Sequence, residues 1–198
     1  MSETKKAIVI TGPSGSGKGN VVKKLLKRFD FFELSISATT REPGPGEIHG
    51  KDYYFISLDE FRKKIAEKAF LEYEEVYAGS FYGTFNEEIE KIAQRGKFPL
   101  FEIDVAGALR IKEILGDTTC VIFLHPGEPV VDILRERLWN RGRDSGDKIE
   151  KRLQKVPKEI EMGFHCDYIV VNQNGEFDNT IEVIADTIES FLSEEIKN

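Results

Sequence analysis

The run Gly12-Pro13-Ser14-Gly15-Ser16-Gly17-Lys18 has the spacing G-x-x-x-x-G-K. Its glycines let the backbone curl so that successive N–H groups face one anion. A helix starting at Lys18 would add the positive end of its dipole. The Lys18 ammonium would then reach the β- and γ-phosphates of a bound ATP. Gly12, Pro13, Ser14, Gly15, Ser16, Gly17, Lys18, Gly19 and Asn20 are the expected ATP contacts. A complete phosphate loop continues with Ser or Thr, whose hydroxyl ligates Mg²⁺. This chain has Gly19 there, followed by Asn20, so Mg²⁺ is expected with ATP and its protein ligands stay unassigned.

A loop of this kind works only between a strand and a helix, and the flanking residues supply both. Ala7 to Thr11 is a continuous apolar run, as for a strand buried on both faces. A helix is predicted from about Lys18 to Arg28, and a second strand from Leu34 to Ala38. Residues Thr39 to Lys51, rich in Pro and Gly, must form a loop. Ser57 and Glu60 make a capping box ahead of a short helix. Phe70 to Tyr82 reads as extended segments around Gly79. A helix from Glu87 to Arg95 closes at Gly96, and Leu100 to Ile103 and Thr119 to Leu124 are further core strands. Val130 to Trp139 is predicted helical. The charged segment Asn140 to Asp147 breaks before a helix from Lys148 to about Met162. Tyr168 to Val171 is the last strand, and the final helix carries Ile181, Ile184, Ile188, Phe191 and Leu192 on one face. Strands alternating with helices imply an α/β fold, a mainly parallel sheet covered on both sides.

The 198 residues suit one such domain, and a hydrophobic content of 40% is enough for a sizeable core. No repeat, low-complexity tract or linker divides it. A formal charge of −7, from 28 basic and 35 acidic residues, argues against nucleic acid or a membrane surface as partner. Binding of anionic mononucleotides depends on local charge and stays open. Cys120 and Cys166 lack metal-ligand spacing, and Cys120 lies in an apolar run, as a core thiol would. Residues 1–6 lead into an apolar stretch too short for a signal peptide or a membrane span, so a cytoplasmic location is expected.

Further motifs give the chain a resemblance. Ser35-Ile36-Ser37-Ala38-Thr39-Thr40-Arg41-Glu42-Pro43, Gly46 to Tyr53, Phe70-Leu71-Glu72-Tyr73 and Phe81-Tyr82-Gly83-Thr84 resemble the GMP-binding region of guanylate kinases. With the phosphate loop, the pair Glu102 and Asp104, and the stretch Arg137 to Gly142, the resemblance runs nearly end to end. It implies a P-loop NTPase-type sheet (core 1–38, 85–136 and 158–198), a GMP-binding lobe at 39–84 and a lid at about 137–157. It also implies ATP and GMP as ligands. Glu72 would accept from guanine N1 and the 2-amino group, with Ser37 and Thr84 adding polar contacts. Adenine would leave that carboxylate unpaired, a mismatch of about a hundredfold. Arg41, Tyr53 and Tyr82 match contacts to the GMP phosphate, and Asp104 a residue poised for GMP or metal-bound water. Arg137, Arg141 and Arg152 match lid arginines that close on the transferring group, with Arg143 an extra charge beside them.

Three positions depart from the family pattern. Gly44 stands where a second phosphate-binding arginine is usual, a loss of about 1.5–3 kcal/mol for one charge-assisted contact. Glu102 stands where Asp is usual, and Gln173 and Asn174 follow Asn172 where Asn-Asp-Asp is common. The implied reaction is phosphoryl transfer from ATP to GMP. The GMP phosphate is largely dianionic near neutral pH, its second pKa being about 6, so no general base is required. Lys18, Arg41, Arg137, Arg141 and Arg152 would neutralise charge. Gly19 and Gly44 also raise a second reading, a binding module that keeps the fold without efficient catalysis. Retention of Lys18, Arg41, Glu72 and the lid arginines weighs for the enzyme. A kinase for another nucleoside monophosphate is a third reading, opposed by Glu72 with Ser37.

Overall fold

The computed structural model describes residues 6–77, 79–142 and 145–194; Arg143 lies outside them. Its centre is a five-stranded parallel sheet in the order β2-β7-β1-β8-β9. These strands are β1 (Ala7–Thr11), β2 (Phe32–Leu34), β7 (Phe98–Glu102), β8 (Thr119–His125) and β9 (Tyr168–Val171). Side chains alternate across a strand, so the apolar run of β1 feeds two cores. Ile8 and Ile10 pack with Leu25, Leu100, Ile122, Leu124 and Ile184 under helices α1 (Lys18–Arg28) and α8 (Phe177–Ser193). Ala7 and Val9 pack with Phe101, Ala108, Ile111 and Val121 under helix α4 (Val105–Leu115). An all-parallel sheet has to be covered in this way.

A second sheet, of order β4-β3-β6-β5, holds β3 (Ala38–Thr39), β4 (Tyr54–Phe55), β5 (Phe70–Tyr77) and β6 (Ser80–Phe85). Helix α2 (Leu58–Ala66) lies between β4 and β5, and Ser57 Oγ accepts from Glu60 N–H at 3.1 Å, as the capping pattern predicts. Phe61, fully buried, stacks on Phe70 at 4.4 Å between ring centroids. Helix α3 (Asn86–Gln94) follows β6 back to the central sheet.

Two expectations are corrected. The predicted strand from Leu34 to Ala38 is two: β2 ends at Leu34 in the central sheet, and β3 begins at Ala38 in the second sheet. Ser35 to Ser37 cross between them. The predicted helix from Lys148 to Met162 is also two, α6 (Gly146–Leu153) and α7 (Val156–Gly163), with Pro157 in the first turn of the second. Proline has no N–H to continue a helix and is tolerated at its start. Helix α4 carries no expectation from the pattern above. It is capped by Asp104, whose Oδ1 accepts from Gly107 N–H at 2.9 Å.

Helices α5 (Val130–Arg141), α6 and α7 share a small core of Leu134, Leu138, Ile149, Leu153 and Val156. Helix α7 meets the central sheet at Gly163, where an added Cβ would lie 2.6 Å from the Phe123 ring. Gly163→Ala should therefore destabilise the fold by about 1–3 kcal/mol through overpacking. The check is a melting temperature lower by about 2–4 °C per kcal/mol. No helix among the described residues is long and apolar enough to cross a membrane.

Candidate active site

The loop after β1 sits at the carboxyl ends of the central strands, where open parallel sheets leave a crevice. Gly12 has φ +144°, and a Cβ there would lie 2.6 Å from Leu124 O. Gly17 has φ +102°, and a Cβ there would meet Asn172 Nδ2 at 2.6 Å. That amide instead donates to Ser16 O at 2.8 Å and ties the loop to the end of β9. Among the described residues, the N–H groups of Gly15 and Gly17 donate to no protein group. Unpaired backbone N–H groups in a glycine-rich turn are what an anion-binding loop offers.

Lys18 Nζ donates to Gly12 O at 2.6 Å and to Pro13 O at 3.2 Å. An ammonium has three donors, so one remains for a ligand. Burial lowers the Lys18 pKa, while Glu102, Glu159 and Asp104 oppose that shift. Glu159, half-buried on α7, was missed by sequence reasoning; no local motif marks it, and only the packing of α7 brings it near the loop. Burial raises its carboxyl pKa, and Lys18 pulls it down.

Gly19 and Glu102 complement each other in size. A Cβ at Gly19 would lie 3.3 Å from Glu102 Oε1 and 3.5 Å from Oε2, so the longer carboxylate occupies space that a side chain at 19 would need. Burial raises the Glu102 pKa, against the pull of Lys18, Arg141 and Lys23. Among the described residues, no cluster of three or more His, Cys, Asp or Glu could hold a metal by itself. A hard cation here would need the oxygens of a phosphate ligand beside Glu102, which is how Mg²⁺ is commonly held.

Arg137, Arg141 and Arg152, expected in a lid, are placed differently from one another. Arg152 on α6 donates from Nη1 to Ser14 Oγ at 2.7 Å, at the tip of the loop. Arg137 turns to the base of the loop instead. It donates to Asn172 O at 2.7 Å, to Asn174 Oδ1 at 2.8 and 3.1 Å, and to Ser16 O at 3.4 Å. Arg141 is exposed at the end of α5, and its charge reaches both Lys18 and Glu102.

The second sheet and the segments flanking it carry the remaining expected residues, apart from Asp104 at the cap of α4. Glu72 on β5 is 5% exposed and accepts from Thr84 Oγ1 at 2.8 Å. Its pKa is pushed up to about 7 by burial, with the Thr84 hydrogen bond opposing and Asp104 adding to the rise. A Cβ on Gly107 would lie 3.0 Å from Glu72 Oε2. The absent side chain at 107 thus leaves room for this carboxylate, a role that sequence reasoning did not give it. Ser37 is buried in the crossing between β2 and β3, where its carbonyl accepts from Tyr54 N–H at 2.9 Å.

Arg41, Tyr53 and Tyr82 form a second cluster. The Arg41 guanidinium lies 5.2 Å from the centre of the Tyr53 ring and donates from Nε to the Tyr82 hydroxyl at 3.3 Å. Burial opposes its charge, and hydrogen bonds to Glu47 and Tyr82 more than offset this, leaving its pKa raised. The Tyr53 phenol is pushed up to about 12, chiefly by burial, so it stays a donor at neutral pH.

The arrangement therefore joins a phosphate cradle to a buried carboxylate and an arginine–tyrosine cluster. Comparison with known proteins agrees. The guanylate kinase family model matches residues 4–191. A guanylate kinase of Salinibacter ruber is 40% identical over 186 residues, spanning 94% of this chain and 96% of its own length. One from Bacteroides fragilis is 41% identical over 171 residues, spanning 86% of this chain and 83% of its own. In three dimensions, guanylate kinase from Anaplasma phagocytophilum has a TM-score of 0.76 at 29% identity, over 96% of this chain and 87% of that one. Near full-length matches in sequence and the structural match point the same way: the chain belongs to the guanylate kinase family.

Proposed function

We propose that this protein transfers the γ-phosphoryl group of ATP to GMP, giving ADP and GDP. A GMP phosphate oxygen attacks the γ-phosphorus in line, the bond to the β,γ-bridging oxygen breaks, and ADP leaves. The observation that carries this reading is Glu72: a buried carboxylate beside Thr84 suits a ligand that presents two adjacent donors, as guanine does at N1 and its 2-amino group. Arg41, Tyr53 and Tyr82 take the GMP phosphate, and Ser37 and Asp104 complete the acceptor site. Residues Gly12 to Asn20 hold ATP. Lys18, Arg141 and Arg152 neutralise the charge that spreads over the transferring group.

Arg137 keeps the ATP side in shape through its bonds to Ser16, Asn172 and Asn174. The lobe comprises residues 39–84 and the lid about 137–157. When bound with ATP, Mg²⁺ would supply charge neutralisation on the phosphates, and Glu102 is the residue to hold it or its water. Turnover measured with GMP, AMP and UMP tests the base assignment. GMP should exceed the others in kcat/KM by about a hundredfold or more, and a better rate with AMP or UMP would refute it.

The elevated pKa of Glu72 has a consequence for binding. A protonated carboxyl cannot accept from both guanine donors. With a pKa of about 7 in the free protein, affinity for guanosine should fall ~10-fold from pH 8 to pH 6, following the ionised fraction. Guanosine isolates Glu72 from the phosphate titration. A flat calorimetric affinity over this range would contradict the assignment.

A further inference from the structure

Arg41 is held on its far side by a carboxylate outside the expected set of site residues. Residues Gly44 to Glu47 form a turn in which Glu47 N–H donates to Gly44 O at 3.1 Å, with Pro45 second and Gly46 third at φ +79°. A positive φ at the third position is the mark of a type II turn, and proline favours the second. The turn brings the Glu47 side chain back onto Gly44, whose N–H donates to Glu47 Oε2 at 2.7 Å. The same carboxylate accepts from Arg41 Nη1 at 2.7 Å and from Nη2 at 3.1 Å. A Cβ at position 44 would lie 3.1 Å from Glu47 Oε2, so a side chain there would crowd the carboxylate.

The guanidinium offers two bidentate edges. Glu47 takes the edge between the two terminal nitrogens. The edge formed by Nε and Nη2 faces the Tyr82 hydroxyl, and the Tyr53 ring lies against the guanidinium. We propose that Glu47, anchored by the Gly44 N–H, is a positioning residue that aims Arg41 at the acceptor phosphate. One locked arginine thereby serves where two are usual. Fixing a long side chain before the ligand arrives removes entropy that binding would otherwise lose. This inference rests on the proposed function, specifically on the acceptor phosphate lying at Arg41, Tyr53 and Tyr82.

The test is Glu47→Gln, nearly the same in shape, in which the amide keeps one acceptor and turns an NH₂ toward the guanidinium. The dissociation constant for GMP should rise about 10-fold, the worth of one charge-assisted hydrogen bond. Guanosine affinity, KM for ATP and melting temperature should stay near parental values. In an Arg41→Met background, Glu47→Gln should add no further loss. An unchanged or tighter GMP constant, an equal loss for guanosine, or a full additional loss in the Arg41→Met background would each overturn the inference. If Arg41→Met alone leaves GMP binding intact, the phosphate assignment itself is wrong; if it weakens GMP while Glu47→Gln does not, only the role of Glu47 fails.

Discussion

Lys18→Ala is expected to lower kcat for phosphoryl transfer by about 10²–10³-fold, the usual effect of removing one preorganised charge from a transition state. Two of its donors hold it against Gly12 O and Pro13 O, so the third points with little freedom. That rigidity makes the ammonium more effective on the transferring phosphoryl group than a mobile charge would be. Stability should change little, because burial already opposes the charged form. Lys18→Arg should not rescue, since a planar fork cannot reproduce a compact ammonium bound to two carbonyls. Steady-state kinetics with a parallel melting curve checks both parts. A kcat within threefold of the parent would remove Lys18 from the chemistry.

Glu72→Gln is expected to lower kcat/KM for GMP by about 10²–10³-fold, through the loss of an ionised acceptor and the donor that the new amide turns toward guanine. The same change should raise stability at high pH. Ionised Glu72 is buried at a cost, visible as a folded-state pKa of about 7 against an ordinary value of 4.5. Between those two values the native state binds more protons than the unfolded chain. Stability from this group therefore falls as pH rises through the window and stays low above it. Glutamine escapes that penalty, so the gain in melting temperature should be larger at pH 8 than at pH 5. Lower activity with higher stability is the signature of a site that holds function at the expense of the fold. A variant that loses both together would make Glu72 a structural residue.

Much of this was legible in the order of residues, for reasons tied to range. Strand β1, the glycine loop and helix α1 follow from an apolar run, a spacing of glycines and an amphipathic pattern, all local signals. Residues Ser35 to Ser37 were misread because a short extended segment looks alike whether it stays in one sheet or crosses to another. Helix α4 has a local signal too: Asp104 directly before Val105, with Ala108, Ile111 and Leu115 at helical spacing, is an N-cap pattern. Arg137 shows the opposite case. The basic segment around it is plain in the sequence, but its partners Asn172 and Asn174 lie 35 and 37 residues away, beyond any local pattern. Glu159 near Lys18, and Gly107 making room for Glu72, depend on packing that no local pattern encodes.

The Gly19 and Gly44 departures look different once neighbours are placed. Beside Gly19 stands the longer carboxylate of Glu102, and beside Gly44 stands Glu47, fixed by the Gly44 N–H. Neither glycine leaves an empty position, and each is matched by a glutamate that a side chain there would press upon. These pairings favour a working enzyme over a degraded binding module.

The central claim is transfer between two bound nucleotides, and the direct measurement follows the phosphoryl group itself. With ATP labelled at the γ-position, GMP and Mg²⁺, labelled GDP should accumulate in step with ADP, and no label should move when GMP is omitted. Label released as inorganic phosphate, or no ADP formed while GMP is bound, would contradict the account.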